Sequence, residues 1–304
     1  VLTDRVLEHL RDVATWPVFS DDRYTDLRPL GTGGMGRVFV AYDQHLHRDV
    51  AIKVSHALAP RARFDARLSR EALVLARLEH PGIVPVHDIG QLADGRVFYA
   101  MKRVEGETLA SRQSTLETES ARLAIIERLV ETVAFAHAQG IVHRDLSPAN
   151  VMIGRFGEVL VMDWGIAARS ADLDGESHPV RVGTPGFMPP EVSGGDLSGG
   201  GMAGDVYALG AILQWMTPRD ARVPRRLRAI IAKCLDASPG ARYQDAQTLA
   251  ADLARYRAGQ AVDALPETWL DKLIRVATPH LPLILLLAAY LLMRVLVAWW
   301  QGRS

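Results

Sequence analysis

The chain has 304 residues, 35 basic and 35 acidic side chains, 48% hydrophobic residues and one cysteine. That length suits one large domain with short extras, and a formal charge of zero gives no general ground for a nucleic-acid partner. A lone Cys234 excludes an intrachain disulfide and fits a reducing compartment.

Residues 1–20 form an N-terminal extension. Val6, Leu7, Leu10 and Val13 suit a short amphipathic helix capped by Thr3 or Asp4, and no signal-peptide pattern is present. A strand-like run, Tyr24–Leu30, leads into Gly31-Thr32-Gly33-Gly34-Met35-Gly36 and a second strand, Val38–Tyr42. Glycines at 31, 33 and 36 would let backbone approach a phosphate without a Cβ in the way. The same glycines fit a dinucleotide-binding turn, but that turn opens a helix, and this one opens a strand. Val50-Ala51-Ile52-Lys53 is an apolar strand ending in a lysine, which is costly to bury without a partner; the alternative is an edge lysine reaching water. A helix is predicted over Phe64–Leu78 from Leu68, Ala72, Leu75 and Leu78. It carries Glu71 as the partner candidate, with Glu79 at its end as the competitor. Strands follow around Ile83–Ile89 and Val97–Met101, then a long helix at about Ser120–Gln139.

The next stretch holds the chemistry. His143-Arg144-Asp145-Leu146-Ser147-Pro148-Ala149-Asn150 precedes a hairpin, Val151–Ile153 and Val159–Met162, that presents Asp163-Trp164-Gly165. Phosphoryl transfer needs one group to orient a hydroxyl and two to hold Mg²⁺ against phosphates. Asp145, Asn150 and Asp163 are those groups in one short segment.

Together these segments resemble the protein kinase superfamily, in its bacterial eukaryotic-like serine/threonine branch. Gly183-Thr184-Pro185-Gly186-Phe187-Met188-Pro189-Pro190-Glu191 resembles the end of an activation segment. Asp205-Val206-Tyr207-Ala208-Leu209-Gly210 resembles the start of the central C-lobe helix, and Arg242 the late arginine that pairs with Glu191. The resemblance implies an α+β, bilobal fold over 21–257. Its small β-rich N-lobe (21–104) would carry the αC helix, and its larger, mainly helical C-lobe (105–257) would have a shortened αG region. Lys53, positioned by Glu71, would hold ATP phosphates and Asp145 would serve as catalytic base. Gly31, Gly33, Gly34, Gly36, Val38, Ala51, Met101, Arg103 and Met152 would line the nucleotide site. Asn150 and Asp163 would hold Mg²⁺, with Mn²⁺ able to replace it. Leu75, Val86, His143 and Trp164 would stack as one inter-lobe column, and Val38, Ala51 and Met152 would sandwich adenine in the other; the bland alternative is ordinary core. The expected activity is phosphorylation of serine and threonine hydroxyls on protein substrates, including autophosphorylation. Ser170, Ser177 and Thr184 are the available hydroxyls; Ser177 is the favoured acceptor, and Thr184 is assigned to contact with Asp145.

Several positions depart from the family. Ser147 stands where serine/threonine members carry a lysine that touches the γ-phosphate, and Arg155 lies on the wrong side of the hairpin to replace it. Trp164 replaces phenylalanine, Pro189 replaces alanine, and Lys102-Arg103 replace an acidic-aromatic hinge pair. Thr217–Pro224 joins the central helix almost directly to a helix over Leu227–Leu235, in which Cys234 reads as core. Ser147 and the shortened C-lobe favour an ATP-binding pseudokinase scaffold, which the retained Lys53, Glu71, Asp145, Asn150 and Asp163 oppose; a third reading is a small-molecule phosphotransferase, against which the Gly183–Glu191 platform argues.

Ala258–Pro266 reads as the start of a juxtamembrane linker (258–280). Leu281–Trp300 has one charge, Arg294, and spans ~30 Å as a helix, the thickness of a bilayer core. It is expected as a transmembrane helix (281–300), with Trp299 and Trp300 as interfacial anchors and Lys272 and Arg275 on the kinase side. This places a single-pass protein in the cytoplasmic membrane with its kinase domain inside the cell. The helix would serve as anchor or as the contact of a homodimer.

Overall fold

The computed structural model describes residues 16–33, 36–56, 61–116, 118–164, 168–169, 183–195, 201–217, 223–266 and 281–301. Gly34, Gly165, Ser170 and Ser177, the helix expected before Trp16, and Lys272 and Arg275 lie outside these residues.

The N-terminal lobe is an antiparallel sheet in the order β1-β2-β3-β5-β4. Its strands are β1 (Tyr24–Gly33), β2 (Gly36–Asp43), β3 (Arg48–Ser55), β4 (Val86–Gln91) and β5 (Val97–Lys102). Helix α1 (Arg61–Arg77) packs on one face. Side chains alternate between faces along each strand, so the sheet builds two cores. Phe39 and Ala41 of β2, Val50, Ile52 and Val54 of β3, and Phe98 and Ala100 of β5 pack on the outer face. Val38, Ala51, Tyr99 and Met101 pack on the inner face with α1 and the other lobe. Burial on both faces explains why Val50, Ala51 and Ile52 of β3 are consecutive apolar residues rather than an alternation. The strand expected from Ile83 begins later: Ile83 makes only an isolated bridge to Val161, and β4 starts at Val86.

The C-terminal lobe is built on α2 (Glu119–Ala138), α4 (Met202–Met216), α5 (Arg225–Cys234) and α6 (Ala246–Arg257), with a short α3 (Pro190–Ser193). Thr118 Oγ1 accepts from Ala121 N and Asp245 Oδ1 from Thr248 N, capping α2 and α6. A three-stranded sheet, β6 (Gly106–Thr108), β8 (Val151–Gly154) and β9 (Val159–Val161), carries the catalytic hairpin. A two-stranded pair, β7 (Ile141–Val142) with β10 (Ala168–Arg169), brackets it. Only residues 217–224 separate α4 from α5, as the shortened region requires. Cys234 is fully buried, and burial pushes its thiol far up.

Residues 258–265, expected as linker, lie against the lobe. Val262 is buried, and the amides of Asp263 and Ala264 donate to Asp252 at 2.6 and 3.0 Å. Helix α7 covers Leu281–Gln301. Its side chains at 281–285, 287, 288, 295 and 296 lie outside the described residues, and among the described residues no helix is long and apolar enough to cross a membrane.

Candidate active site

Lys53 projects from the inner face of β3, and Glu71 reaches it from α1. Lys53 Nζ lies 2.8 Å from both Glu71 carboxylate oxygens and 2.9 Å from Asp163 Oδ1. Tyr99 Oη also donates to Glu71 at 3.0 Å. Burial presses the Lys53 ammonium toward neutrality, but Glu71 and then Asp163 outweigh it and hold Lys53 above its ordinary value. Burial pushes the Glu71 carboxyl up, against the pull of Lys53 and Tyr99. Glu79, the competing acid, is exposed.

The loop between β7 and β8 is held from beneath. Asp205, at the start of α4, is 2% exposed and accepts from His143 N (2.7 Å), Arg144 N (2.8 Å) and His137 Nε2 (3.0 Å). His137 Nδ1 accepts from Ala246 N at 3.2 Å, so its proton sits on Nε2 and points at Asp205. Burial alone would raise the Asp205 carboxyl; these donors, His137 first, hold it below its ordinary value instead. His143 Nδ1 accepts from Asp145 N (3.3 Å), its Nε2 donates to Met162 O (3.0 Å), and its ring lies 4.6 Å from that of Trp164. Arg144 (φ 72°) and Asp163 (φ 56°) take left-handed backbone conformations that non-glycine residues seldom adopt, a strain that the surrounding bonds sustain.

On this support Asp145 is half-buried. Its Oδ1 accepts from Thr184 Oγ1 at 2.8 Å, and its Oδ2 from Asn150 Nδ2 at 3.2 Å. Asn150 Nδ2 also donates to Asp145 O at 2.8 Å, which leaves the amide oxygen as the end able to bind a cation. Asp163 keeps 44% of its side chain exposed. Among the described residues no three His, Cys, Asp or Glu side chains gather as a metal cage. One carboxylate and one amide oxygen fit Mg²⁺, which takes few protein ligands and fills its shell from phosphates and water.

Leu75, His143 and Trp164 are buried and Val86 packs against the same core, as both the inter-lobe column and an ordinary core require. Ala51 is buried, with Val38 and Met152 half-buried beside it. Met101 is buried at the end of the inner face. The Arg103 side chain turns to Asp49 and Glu105, so only its backbone is available to a nucleotide edge. Gly31 has open space where a Cβ would stand, whereas a Cβ on Gly36 would meet Val54 O at 2.0 Å. The glycine at 36 is therefore demanded by strand packing, whatever it also does for a phosphate.

The profile of the protein kinase domain matches residues 24–224. The chain belongs to the protein kinase family. It is 36% identical over 285 residues to the serine/threonine-protein kinase PknB of Mycolicibacterium smegmatis, covering 82% of this chain and 45% of that protein. It is 30% identical over 302 residues to the serine/threonine-protein kinase PknD of Protochlamydia amoebophila, covering 79% of this chain and 30% of that one. The chain thus spans less than half the length of these curated relatives.

Within the kinase family's frame, Arg242 pairs with Glu191 at 2.7 and 2.8 Å, as expected. Arg155 is exposed and directed to Glu105, away from Asp145. Two features were not anticipated. Asp205 and His137 tie the catalytic loop to α4 and α6; a kinase pattern marks Asp205, but nothing local marks His137. Ser147 is 1% exposed, and its Oγ has no hydrogen-bond partner among the described residues.

Proposed function

We propose that this chain transfers the γ-phosphate of ATP to serine and threonine hydroxyls of proteins, itself included, in bacterial signalling. The observation that carries the reading is the Lys53 ammonium held between Glu71 and Asp163, with Asp145 and Asn150 locked together nearby. Glu71 is buried whereas Asp163 keeps 44% of its side chain exposed, so Asp163 is the carboxylate able to turn from Lys53 to a ligand. In this reading Lys53 takes ATP phosphates while Glu71 keeps it in place. Gly31, Gly33, Gly34 and Gly36 cover the phosphates, and the adenine lies among Val38, Ala51, Met152 and the backbone from Met101 to Arg103. Asp163 and the Asn150 amide oxygen hold Mg²⁺, which neutralises phosphate charge when bound. Asp145 takes the proton as the substrate hydroxyl oxygen bonds to the γ-phosphorus; the bond to the β-bridging oxygen breaks and ADP leaves. Thr184 steers the Asp145 carboxylate. The resemblance of Gly183–Glu191 to a protein-substrate platform, with Thr184 bonded to Asp145, supports protein rather than small-molecule acceptors.

Serine/threonine choice follows the relatives, which are named serine/threonine-protein kinases. Helix α7, ~31 Å long at ~1.5 Å per residue, is read as a membrane anchor on its apolar sequence. Sedimentation with lipid vesicles that is lost on deleting 281–301 tests this. For the activity, the full chain in mild detergent is incubated with Mg²⁺, ATP and a generic protein, and phosphate is located by mass spectrometry. Phosphoserine or phosphothreonine supports the reading; nucleotide binding with no transfer opposes it. Ser147 favours that second outcome, a nucleotide-binding scaffold, because a buried hydroxyl replaces a cation beside the γ-phosphate.

A further inference from the structure

The outer face of the N-terminal sheet is closed by the chain segment that precedes it. Trp16 packs edge-on against Phe39, with ring centroids 5.4 Å apart, and Phe19 packs against Phe98 at 5.0 Å and Tyr24 at 5.3 Å. Backbone bonds fix the segment: Ala93 N donates to Val18 O at 2.9 Å, and Arg96 Nη2 donates to Trp16 O at 3.1 Å. Arg96 is only 3% exposed and is aimed from its other side by Asp94 at 2.6 Å. Arg96, buried and charge-paired with Asp94, thus also holds the backbone of Trp16 in place.

The strand under this segment is β2, the one that leaves the glycine loop. Phe39 and Val38 are neighbours on opposite faces: Phe39 is 1% exposed in the outer core, and Val38 faces the inner core beside Ala51. Anything that fixes Phe39 from behind also fixes the height of Val38 and of Gly36 in front. We propose that Trp16 is a positioning residue for the nucleotide: through Phe39 it holds β2 at the height that fits the adenine and phosphate site. This rests on the nucleotide-binding reading above. The residue acts through the strand and touches no reacting atom.

The test uses the full chain, Trp16→Ala, Trp16→Phe and the control Val18→Ala, whose side chain is exposed. Fluorescent ADP binding with Mg²⁺ gives nucleotide affinity, and steady-state transfer gives KM for ATP and kcat. Trp16→Ala is expected to weaken nucleotide affinity and raise KM for ATP by about three- to tenfold, the range of one lost aromatic pair, with kcat within about twofold. Trp16→Phe restores both and Val18→Ala changes neither. Amide exchange across Gly36–Asp43 rises in Trp16→Ala alone. Unchanged nucleotide affinity in a folded Trp16→Ala protein, with only its melting temperature lowered, overturns the proposal. If that variant does not fold, Trp16→Leu is read by the same criterion. A wild-type chain that binds no nucleotide removes the kinase reading itself; one that binds without transferring leaves the affinity measurement decisive.

Discussion

Glu71→Gln removes one negative charge from the most buried ion pair of the cleft and changes little in volume. At 2.8 Å and an effective dielectric of about 20, the Lys53–Glu71 attraction is about 6 kcal/mol. Burial of Glu71, already 1% exposed, opposes that gain. Asp163 still contacts Lys53 in the variant, and the glutamine oxygen still accepts from Tyr99. The expected net loss is about 3 kcal/mol, at the lower edge of what breaking a buried pair costs. In urea unfolding, a slope of about 2–3 kcal/mol per M gives a midpoint lowered by about 1–1.5 M. Lys53 would then lean on Asp163 alone and compete with Mg²⁺ for it, so Mg²⁺-dependent nucleotide affinity falls about tenfold or more. Glu79→Gln, at the exposed acid eight residues on, changes stability by less than about 0.5 kcal/mol. A Glu71→Gln protein that unfolds at the wild-type midpoint and binds nucleotide equally well would refute the assigned pair.

Ser147→Ala removes a buried hydroxyl that makes no bond among the described residues and is expected to be neutral or stabilising by up to about 1 kcal/mol in thermal melting; a loss of stability would mean that the hydroxyl has a partner. Gly36→Ala places a Cβ 2.0 Å from Val54 O, and forcing β2 from β3 should cost about 1–3 kcal/mol, read by thermal melting; a variant as stable as wild type would contradict the close approach. Asp205 has a lowered folded-state pKa, so it stabilises above the ordinary carboxyl value of 3.8 and that contribution fades as pH falls below it. Asp205→Asn is expected to cost about 2–4 kcal/mol at neutral pH, and its stability should then fall less than wild type's as pH drops below 3.8, which acid titration followed by circular dichroism measures.

Much of the site was legible because its chemistry lies in short runs. His143–Asn150, Asp163 and Gly31–Gly36 each declare themselves within a few residues, and periodicity places Lys53 on a strand and Glu71 on a helix, while their pairing follows from the kinase resemblance. Even the Arg242–Glu191 pair followed from pattern. What stayed hidden depends on distant partners. His137 reaches Asp205 across 68 positions and Ala246 across 109, so no local spacing exposes it. Trp16 lies in the N-terminal extension with nothing nearby to name Phe39 as its partner, and Arg96, which holds its carbonyl, lies 80 positions away. Gly36 was legible as a residue but not as a reason: its neighbour Val54 O belongs to the next strand. Ser147 reads as a lost cation, and the fold adds that its hydroxyl is sealed from the cleft.

The most direct measurement is phosphoryl transfer by Asp145→Asn beside wild type, with nucleotide affinity measured on the same samples. If Asp145 is the base, transfer falls at least about 10²-fold while affinity for ATP with Mg²⁺ stays within about threefold. Transfer by Asp145→Asn within about tenfold of wild type would contradict the assignment of this carboxylate, and with it the central claim that this cleft carries out the chemistry.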